Sequence, residues 1–143
     1  MSFFEEVAID DSSLKVNGRK CFFLVAIDMK KKIIKIHPYI INFYEFVRDF
    51  VSKMKAEKFY ADKAPWLKRG ITSASKTYIH QTFGKRSYVE RVILEIKQFA
   101  KKFRRSFQNI KSFYLNLKGF EVFYNFFRFH QSLNNIPASL IKP

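Results

Sequence analysis

Residues that interrupt or cross-link a fold are scarce in this chain, which has 4 Gly, 4 Pro and 1 Cys among 143 residues. A single cysteine excludes an internal disulfide framework and suits a reducing compartment. So few glycines and prolines exclude a low-complexity chain or a long flexible linker. The sequence therefore predicts a single globular domain over residues 1–143, with Cys21 as a buried thiol.

Long apolar segments are also missing. No run reaches the ~18 residues that a membrane-spanning helix needs. The start, MSFFEEVAIDD, lacks the basic end and the apolar centre of a secretory signal. We therefore expect no membrane partner and a cytoplasmic protein, from a prokaryote or from a mobile element or virus inside a cell.

Acidic residues are few, 12 against 27 Lys and Arg, so the formal net charge is +15. A charge of this size predicts a polyanionic partner, with nucleic acid and an anionic membrane surface as the first candidates. Two plainer interpretations stay open, a solvated Lys-rich surface and the composition of an AT-rich genome.

Hydrophobic residues make up 48% of the chain, and their spacing in the first half predicts strands followed by a helix. Two β-prone runs flank Asn17-Gly18, a pair that tolerates positive φ and marks a hairpin. KKIIKIHPYI supplies a third strand, with Pro38 at its edge or end. Apolar residues at helical spacing in NFYEFVRDFVSKMKAEK predict a helix that starts with a capping box of Asn42 and Glu45. KFYA then predicts a fourth strand.

The second half predicts more helix than strand. GITSASKTYIHQTFGKRS reads as a short fifth strand and a polar loop, and YVERVILEIKQFAKKFRRSF as a second amphipathic helix. The last third is helical and rich in aromatics, with Gly119 as a point of interruption. The order β-β-β-α-β-α predicts an α/β fold, in which a mixed sheet is flanked by helices and followed by an aromatic-rich C-terminal helix.

Three acidic positions lie where carboxylates are unusual. Asp10 stands with Asp11 inside a predicted strand, where Asp is disfavoured. Asp62 follows the fourth strand, and Pro65 soon after it favours the end of that strand. Glu90 lies where the apolar face of the second helix meets a basic stripe of Lys97, Lys101 and Arg104, and Arg105 joins these three in the predicted DNA-binding cluster.

Each acid has a plain interpretation: a strand bulge or turn, a loop cap and a solvated helix face. A single explanation also covers all three, because a strand Asp, a strand-tip Asp and a helix Glu can converge on a pair of divalent cations. Hard oxygen ligands suit Mg²⁺ or Mn²⁺. Two such ions roughly 3.5–4 Å apart can activate an attacking oxygen and stabilise a leaving one. The basic stripe would then hold a phosphate backbone.

Four segments, in this order, resemble the catalytic domain of DDE insertion-sequence transposases, members of the retroviral-integrase superfamily with a ribonuclease H-like fold. They are AIDDSSLKVNGRKCFFLVAID, YADKAPWL, SYVERVILEIKQFAKKFRRSFQNIKSF and FYNFFRFHQSLNNIPAS. The most specific pieces are the Asp-x-x-x-x-Lys-x-x-Gly start, the DKAP after the fourth strand and a Glu followed seven residues later by Lys. The last segment is similar to the family's Tyr-Asn-x-x-Arg-x-His-x-Ser-Leu pattern.

This resemblance implies that Asp10, Asp62 and Glu90 are the three catalytic acids of Mg²⁺-dependent DNA strand cleavage and joining. It also implies that Lys97 contacts DNA near the active site. We expect a single ribonuclease H-like catalytic domain without an N-terminal DNA-recognition domain. The expected partners are DNA and either a second copy, as a dimer, or a separate targeting subunit.

The resemblance implies a transposase-like enzyme, truncated or repurposed. A second interpretation is a non-catalytic DNA-binding protein built on a degenerate ribonuclease H-like core. A basic structural or membrane-surface protein is a third interpretation, which calls for a helix with cationic and apolar faces and for no convergent acids.

The tetrapeptide VAID occurs twice, ending at Asp10 and at Asp28. If Asn17-Gly18 is a two-residue turn, Asp10 pairs with Val25 and Asp28 pairs with Val7. Side chains alternate between the faces of a strand, so Asp28 is predicted to lie on the face opposite Asp10. The second copy is therefore predicted to be a structural acid rather than a fourth metal ligand.

Overall fold

The computed structural model describes residues 5–39, 44–80, 86–102 and 109–127. The elements are β1 (Glu6–Val16), β2 (Arg19–Asp28), β3 (Ile34–Tyr39), α1 (Tyr44–Ser52), β4 (Lys58–Ala61), α2 (Pro65–Ser73), β5 (Thr77–His80), α3 (Arg86–Lys102), α4 (Ile110–Val122) and a π-helical turn (Phe123–Phe127). In the described part of the chain, no helix is both long enough and apolar enough to span a membrane.

The strands form a mixed sheet in the order β3-β2-β1-β4-β5. Strand β1 lies at its centre, antiparallel to β2 and parallel to β4. The turn between β1 and β2 has φ angles of 52° at Asn17 and 75° at Gly18, and Val16 faces Arg19 across it. The predicted hairpin, its two-residue turn and the mixed sheet are therefore confirmed.

Helices cover both faces of the sheet, and the two faces are built from alternate residues of the strands. One face, here the α3 face, packs against α3 and α4 and includes Ala8, Tyr60, Val89, Val92 and Phe113. The other, here the α2 face, packs against α1 and α2 and includes Val7, Ile9, Val51, Phe59 and Leu67. Each strand position is therefore assigned to a face by its parity.

Helix α2 was not predicted, because Pro65 was interpreted only as the end of a strand. Proline is also favoured in the first turn of a helix, where its missing N–H has no helical partner to lose. The buried residues Leu67, Gly70 and Ile71 have the i, i+3, i+4 spacing of a helix stripe. The predicted fifth strand is confirmed as β5.

Two further helix expectations need correction. Gly119 does not interrupt the last helix, since α4 continues through it to Val122. Helix α1 ends at Ser52, six residues before the predicted end at Lys58. The predicted capping residue Asn42 lies outside the described residues.

Strand β3 forms one border of the sheet, as Pro38 suggested, and side chains from the end of the chain occupy that border. The Asn125 side chain accepts the Ile34 N–H at 2.8 Å and donates to the Ile34 carbonyl at 2.9 Å. Two residues along, the Ile36 N–H donates to Glu121 Oε1 at 2.6 Å, and Lys118 Nζ donates to the Ile36 carbonyl at 3.0 Å. These contacts satisfy backbone groups that a border strand otherwise leaves open.

Replacing Asn125 by Leu should lower the free energy of unfolding by about 3 kcal/mol, because two buried backbone groups of Ile34 lose their partner. Urea denaturation followed by circular dichroism measures this loss. Asn116→Leu is the matched control, since its amide nitrogen donates to the Ser112 carbonyl within the same helix, and it should cost less than about 1 kcal/mol. Equal losses in the two variants would contradict a special role for Asn125.

Candidate functional site

Asp10 lies in the middle of β1, paired with Val25 of β2. It shares the parity of Ala8 and so lies on the α3 face, where its side chain is 8% exposed. The Asp11 N–H donates to Asp10 Oδ1 at 2.8 Å. A carboxylate in the centre of a sheet costs free energy unless it has partners, so this position indicates a functional or a charge-compensated group.

Asp62 directly follows β4, as predicted. Strand β4 pairs in parallel with β1 through Ala8 and Tyr60, and the same register extended by two residues places Asp62 beside Asp10. Asp62 is half-buried, and its Oδ1 accepts the Ala64 N–H at 3.0 Å, which closes a turn after the strand. The Tyr78 hydroxyl donates to the Asp62 carbonyl at 2.7 Å. The fold thus brings one predicted acid into β1 and the other to the end of the neighbouring strand β4, and it fixes the backbone of the second.

Glu90 lies near the start of α3 and is exposed. Its neighbour Val89 is fully buried in the cluster that also contains Ala8 and Tyr60, so Glu90 belongs to a helix that packs on the α3 face. Within the described ranges, no three His, Cys, Asp or Glu side chains form a group that could hold a metal ion. The fold therefore brings Asp10 and Asp62 together, whereas the role of Glu90 stays a prediction.

Asp11, the neighbour of Asp10, makes contacts that the sequence did not reveal. Its parity places it on the α2 face, where its Oδ2 accepts the Trp66 Nε1–H at 2.9 Å and the Tyr39 hydroxyl at 3.3 Å. Burial raises the pKa of Asp11, and the nearby Asp62 charge raises it further, while the two hydrogen bonds oppose both effects. Burial, followed by the Asp11 charge, raises the pKa of Tyr39. Trp66 was interpreted as a packing residue, but it is also a hydrogen-bond donor.

Asp28 has the structural role that the hairpin register predicted. It pairs with Val7, and its side chain is fully buried. Oδ2 accepts the Glu5 N–H at 2.8 Å, and Oδ1 accepts the Lys30 and Lys31 N–H groups at 3.0 and 2.8 Å. Asp28 thus closes the turn between β2 and β3, on the face opposite Asp10.

The basic stripe is described only in part. Lys97 and Lys101 are exposed on α3, one turn apart, and Lys97 follows Glu90 by two turns of the same helix face. Arg104 and Arg105 lie outside the described residues. The two lysines therefore extend from the predicted acidic site along one exposed surface of α3.

Solved structures of retroviral integrases have the same fold as this chain. The chain is similar to a chain of the simian T-cell lymphotropic virus intasome in complex with PP2A regulatory subunit B56 gamma, with a TM-score of 0.79 over 97% of this chain and 55% of that one, at 11% identity. It is similar to the HTLV-2 integrase catalytic core domain in complex with magnesium (trimeric form), with a TM-score of 0.73 over 98% and 99% of the two chains, at 12% identity. It is also similar to the catalytic core domain of BIV integrase, with a TM-score of 0.70 over 95% of this chain and 92% of that one, at 12% identity. The chain therefore has the ribonuclease H-like fold of a retroviral integrase catalytic core.

Sequence comparisons match a smaller part of the chain than the structural comparisons do. No protein-family model matches the chain. The uncharacterized protein aq_aa24 of Aquifex aeolicus (strain VF5) is 40% identical over 53 residues, which cover 37% of this chain and 44% of that protein. The match thus spans less than half of that protein's length.

Proposed function

We propose that this chain is the catalytic core of a metal-dependent DNA-cleaving and strand-transferring enzyme of the DDE transposase and integrase type. The observation that carries the proposal is the parallel register of β1 and β4 at the centre of an integrase-like sheet, which, extended by two residues, brings Asp62 at the end of β4 next to Asp10 of β1. Helix α3 packs on the same face and would supply Glu90 as the third acid. Two neighbouring carboxylates repel each other, and a cation between them removes that cost.

The donor set fits a hard divalent cation. Asp10, Asp62 and Glu90 are the residues that would hold Mg²⁺ or Mn²⁺, both of which prefer carboxylate oxygens. When bound, such ions activate an attacking oxygen and stabilise a leaving oxygen in phosphoryl transfer. The turn at Asp62 and the Asp11 N–H bond to Asp10 keep the two strand carboxylates in place.

DNA would lie along the exposed surface of α3. Lys97 and Lys101 would neutralise phosphates next to the acidic site, with Arg104 and Arg105 continuing the stripe in the sequence. The HTLV-2 core has been described in dimeric and trimeric forms. We propose that this chain likewise acts as an oligomer, a dimer in the simplest case, or with a separate targeting subunit.

Nicking of a labelled DNA duplex in Mg²⁺ or Mn²⁺ tests this function. The wild-type chain should nick DNA with either ion and not in EDTA, and Asp62→Asn should remove the activity. Asp49→Asn is the control, because Asp49 is an exposed acid of α1 whose partner is Arg48 at 3.4 Å. DNA binding without nicking in either ion would instead favour a non-catalytic DNA-binding protein on the same fold.

The affinity for DNA should fall steeply with salt, because each neutralised phosphate releases condensed counterions. The double variant Lys97→Gln/Lys101→Gln should reduce the slope of log K against log salt by about 2, one for each phosphate that is no longer neutralised. Fluorescence anisotropy at several salt concentrations measures the slope. Lys55→Gln/Lys58→Gln is the matched control, since these exposed lysines lie at or before the start of β4, at the opposite end of that strand from Asp62. An equal reduction in the control would remove α3 as the contact surface.

A further inference from the structure

We propose that Asp11 is a positioning residue, which uses Trp66 and Tyr39 to hold the segment that carries Asp62 in register with Asp10. This inference rests on the proposed function, because it assigns Asp11 a role beside the two strand acids. It concerns a residue on the opposite face of the sheet from the reacting groups.

The carboxylate of Asp11 joins parts of the chain that are distant in sequence. Trp66 lies 55 residues away in the first turn of α2, and Tyr39 lies 28 residues away at the end of β3. Both donate to the same oxygen, Oδ2. The Tyr39 ring is itself stacked on Phe22 and on Phe46, with ring centroids 5.7 and 5.5 Å apart. Asp11 therefore ties the central strand to one closely packed side chain and to the start of α2.

The path from Trp66 to Asp62 is short and stiff. Pro65 fixes one backbone angle, and Ala64 donates its N–H to Asp62 Oδ1 at 3.0 Å. A displacement of the Trp66 indole thus moves the turn that orients the Asp62 carboxylate. On the other side, the Asp11 N–H donates to Asp10 Oδ1 at 2.8 Å. Asp11 consequently contacts Asp10 directly through its N–H group. It is linked to Asp62 indirectly, through Trp66 and the short segment between Asp62 and Trp66.

The geometry distinguishes positioning from metal binding. Asp11 has the parity of Ile9 and lies on the α2 face, whereas Asp10 lies on the α3 face. Its Oδ2 is directed at two donors of the α2 face. An Asn at this position removes the charge and replaces one oxygen with an NH2 group, but it retains one acceptor oxygen for Trp66 and Tyr39, whereas an Ala removes the acceptor. Asn should therefore preserve positioning, and Ala should not.

Trp66 is the only tryptophan in the chain, so its fluorescence reports on this network alone. Mn²⁺ bound near Asp62 should quench it, and a titration then gives the Kd of the ion. Asp11→Ala should weaken Mn²⁺ binding about 10- to 100-fold, the usual effect of removing a residue that orients ligands. Asp11→Asn should stay within about threefold of wild type, and Asp49→Ala should match wild type. A folded Asp11→Ala with the wild-type Kd would overturn the proposal.

A second measurement needs no metal. In the ion-free protein, hydrogen exchange of the Trp66 indole N–H and of the Ala64 amide should be at least about tenfold faster in Asp11→Ala than in Asp11→Asn. The indole N–H loses its acceptor, and the turn in which Ala64 donates to Asp62 loses the contact that holds Trp66. Unchanged exchange would overturn the positioning role.

If wild type neither binds Mn²⁺ nor nicks DNA, the proposed function fails, and hydrogen exchange still decides the role of Asp11. Should Asp11→Ala not fold, Tyr39→Phe, which removes one of the two donors, should give intermediate exchange at Ala64, and wild-type exchange there would count against the network.

Discussion

Asp10→Asn is expected to lower metal-dependent nicking by about 10²- to 10³-fold, the range seen when one preorganised electrostatic group is removed from an active site. The amide cannot supply the negative charge that a divalent cation requires, although it has the size of the carboxylate. Asp10 is central in the sheet and only 8% exposed, so no other side chain can move easily into its place. Single-turnover nicking with excess protein measures the rate independently of turnover.

Asp28→Asn is the matched control, since it changes the same residue type in the same tetrapeptide. Asp28 accepts three backbone N–H groups through its two oxygens. Asparagine keeps one oxygen, and the amide nitrogen that replaces the other cannot accept a hydrogen bond, so at least one N–H group loses its partner. We expect a loss of about 1–3 kcal/mol in the free energy of unfolding, with the nicking rate per folded molecule unchanged. If both variants stay folded and both lose nicking, the assignment of Asp28 as a structural acid is wrong.

Gly70→Ala should strongly destabilise the fold. Gly70 is buried where α2 crosses α1, and a Cβ atom there would lie 2.6 Å from Val47 Cγ1 and 2.8 Å from the Tyr44 carbonyl oxygen. A backbone oxygen cannot rotate away as a side chain does, so the two helices must separate. Overpacking of this kind costs about 3 kcal/mol. Because α2 carries Trp66, the loss of packing should also raise the Kd for Mn²⁺.

Gly119→Ala, the same substitution at another helix position, should raise the stability of the protein instead of lowering it. Gly119 is exposed in α4, and a Cβ atom there meets nothing within 4 Å. Alanine restricts the unfolded chain and favours helix, so stability should rise by ~0.5–1 kcal/mol. Thermal denaturation of the two variants beside wild type separates close helix contact from helix propensity. A Gly70→Ala protein as stable as wild type would show that α1 and α2 pack less closely than described.

Local signals in the sequence were sufficient for the hairpin and for everything that depends on its register. Asn17-Gly18 permits one tight turn, and a two-residue turn fixes every pair from Val16 and Arg19 to Val7 and Asp28. Because side chains alternate between the faces of a strand, this register also predicts that Asp10 and Asp28 lie on opposite faces of the sheet. Asp62 could be placed at a strand end because the apolar run and Pro65 are close in sequence.

Contacts between distant segments could not be predicted in this way. The pairing of β1 with β4 is parallel and has an intervening crossover, so no turn residue sets its register. The Asp11 bonds to Trp66 and Tyr39 depend on where α2 and β3 pack, which no periodicity encodes. Helix α2 itself has only nine residues, and a short amphipathic stripe after a proline is equally compatible with a loop.

The hydrogen bonds between the Asn125 side chain and the backbone of Ile34 in β3 have a consequence for synthesis of the chain. Asn125 follows Ile34 by 91 residues, so during synthesis the hairpin and β3 leave the ribosome long before the side chains that occupy their border. Until then the nascent sheet presents free peptide groups that another copy can pair with. A product that stops before α4 should therefore aggregate through this border even if its strands are correctly paired. In the finished protein, side chains near the end of the described chain bind the backbone of Ile34 and Ile36, so β3 no longer offers these groups to another copy.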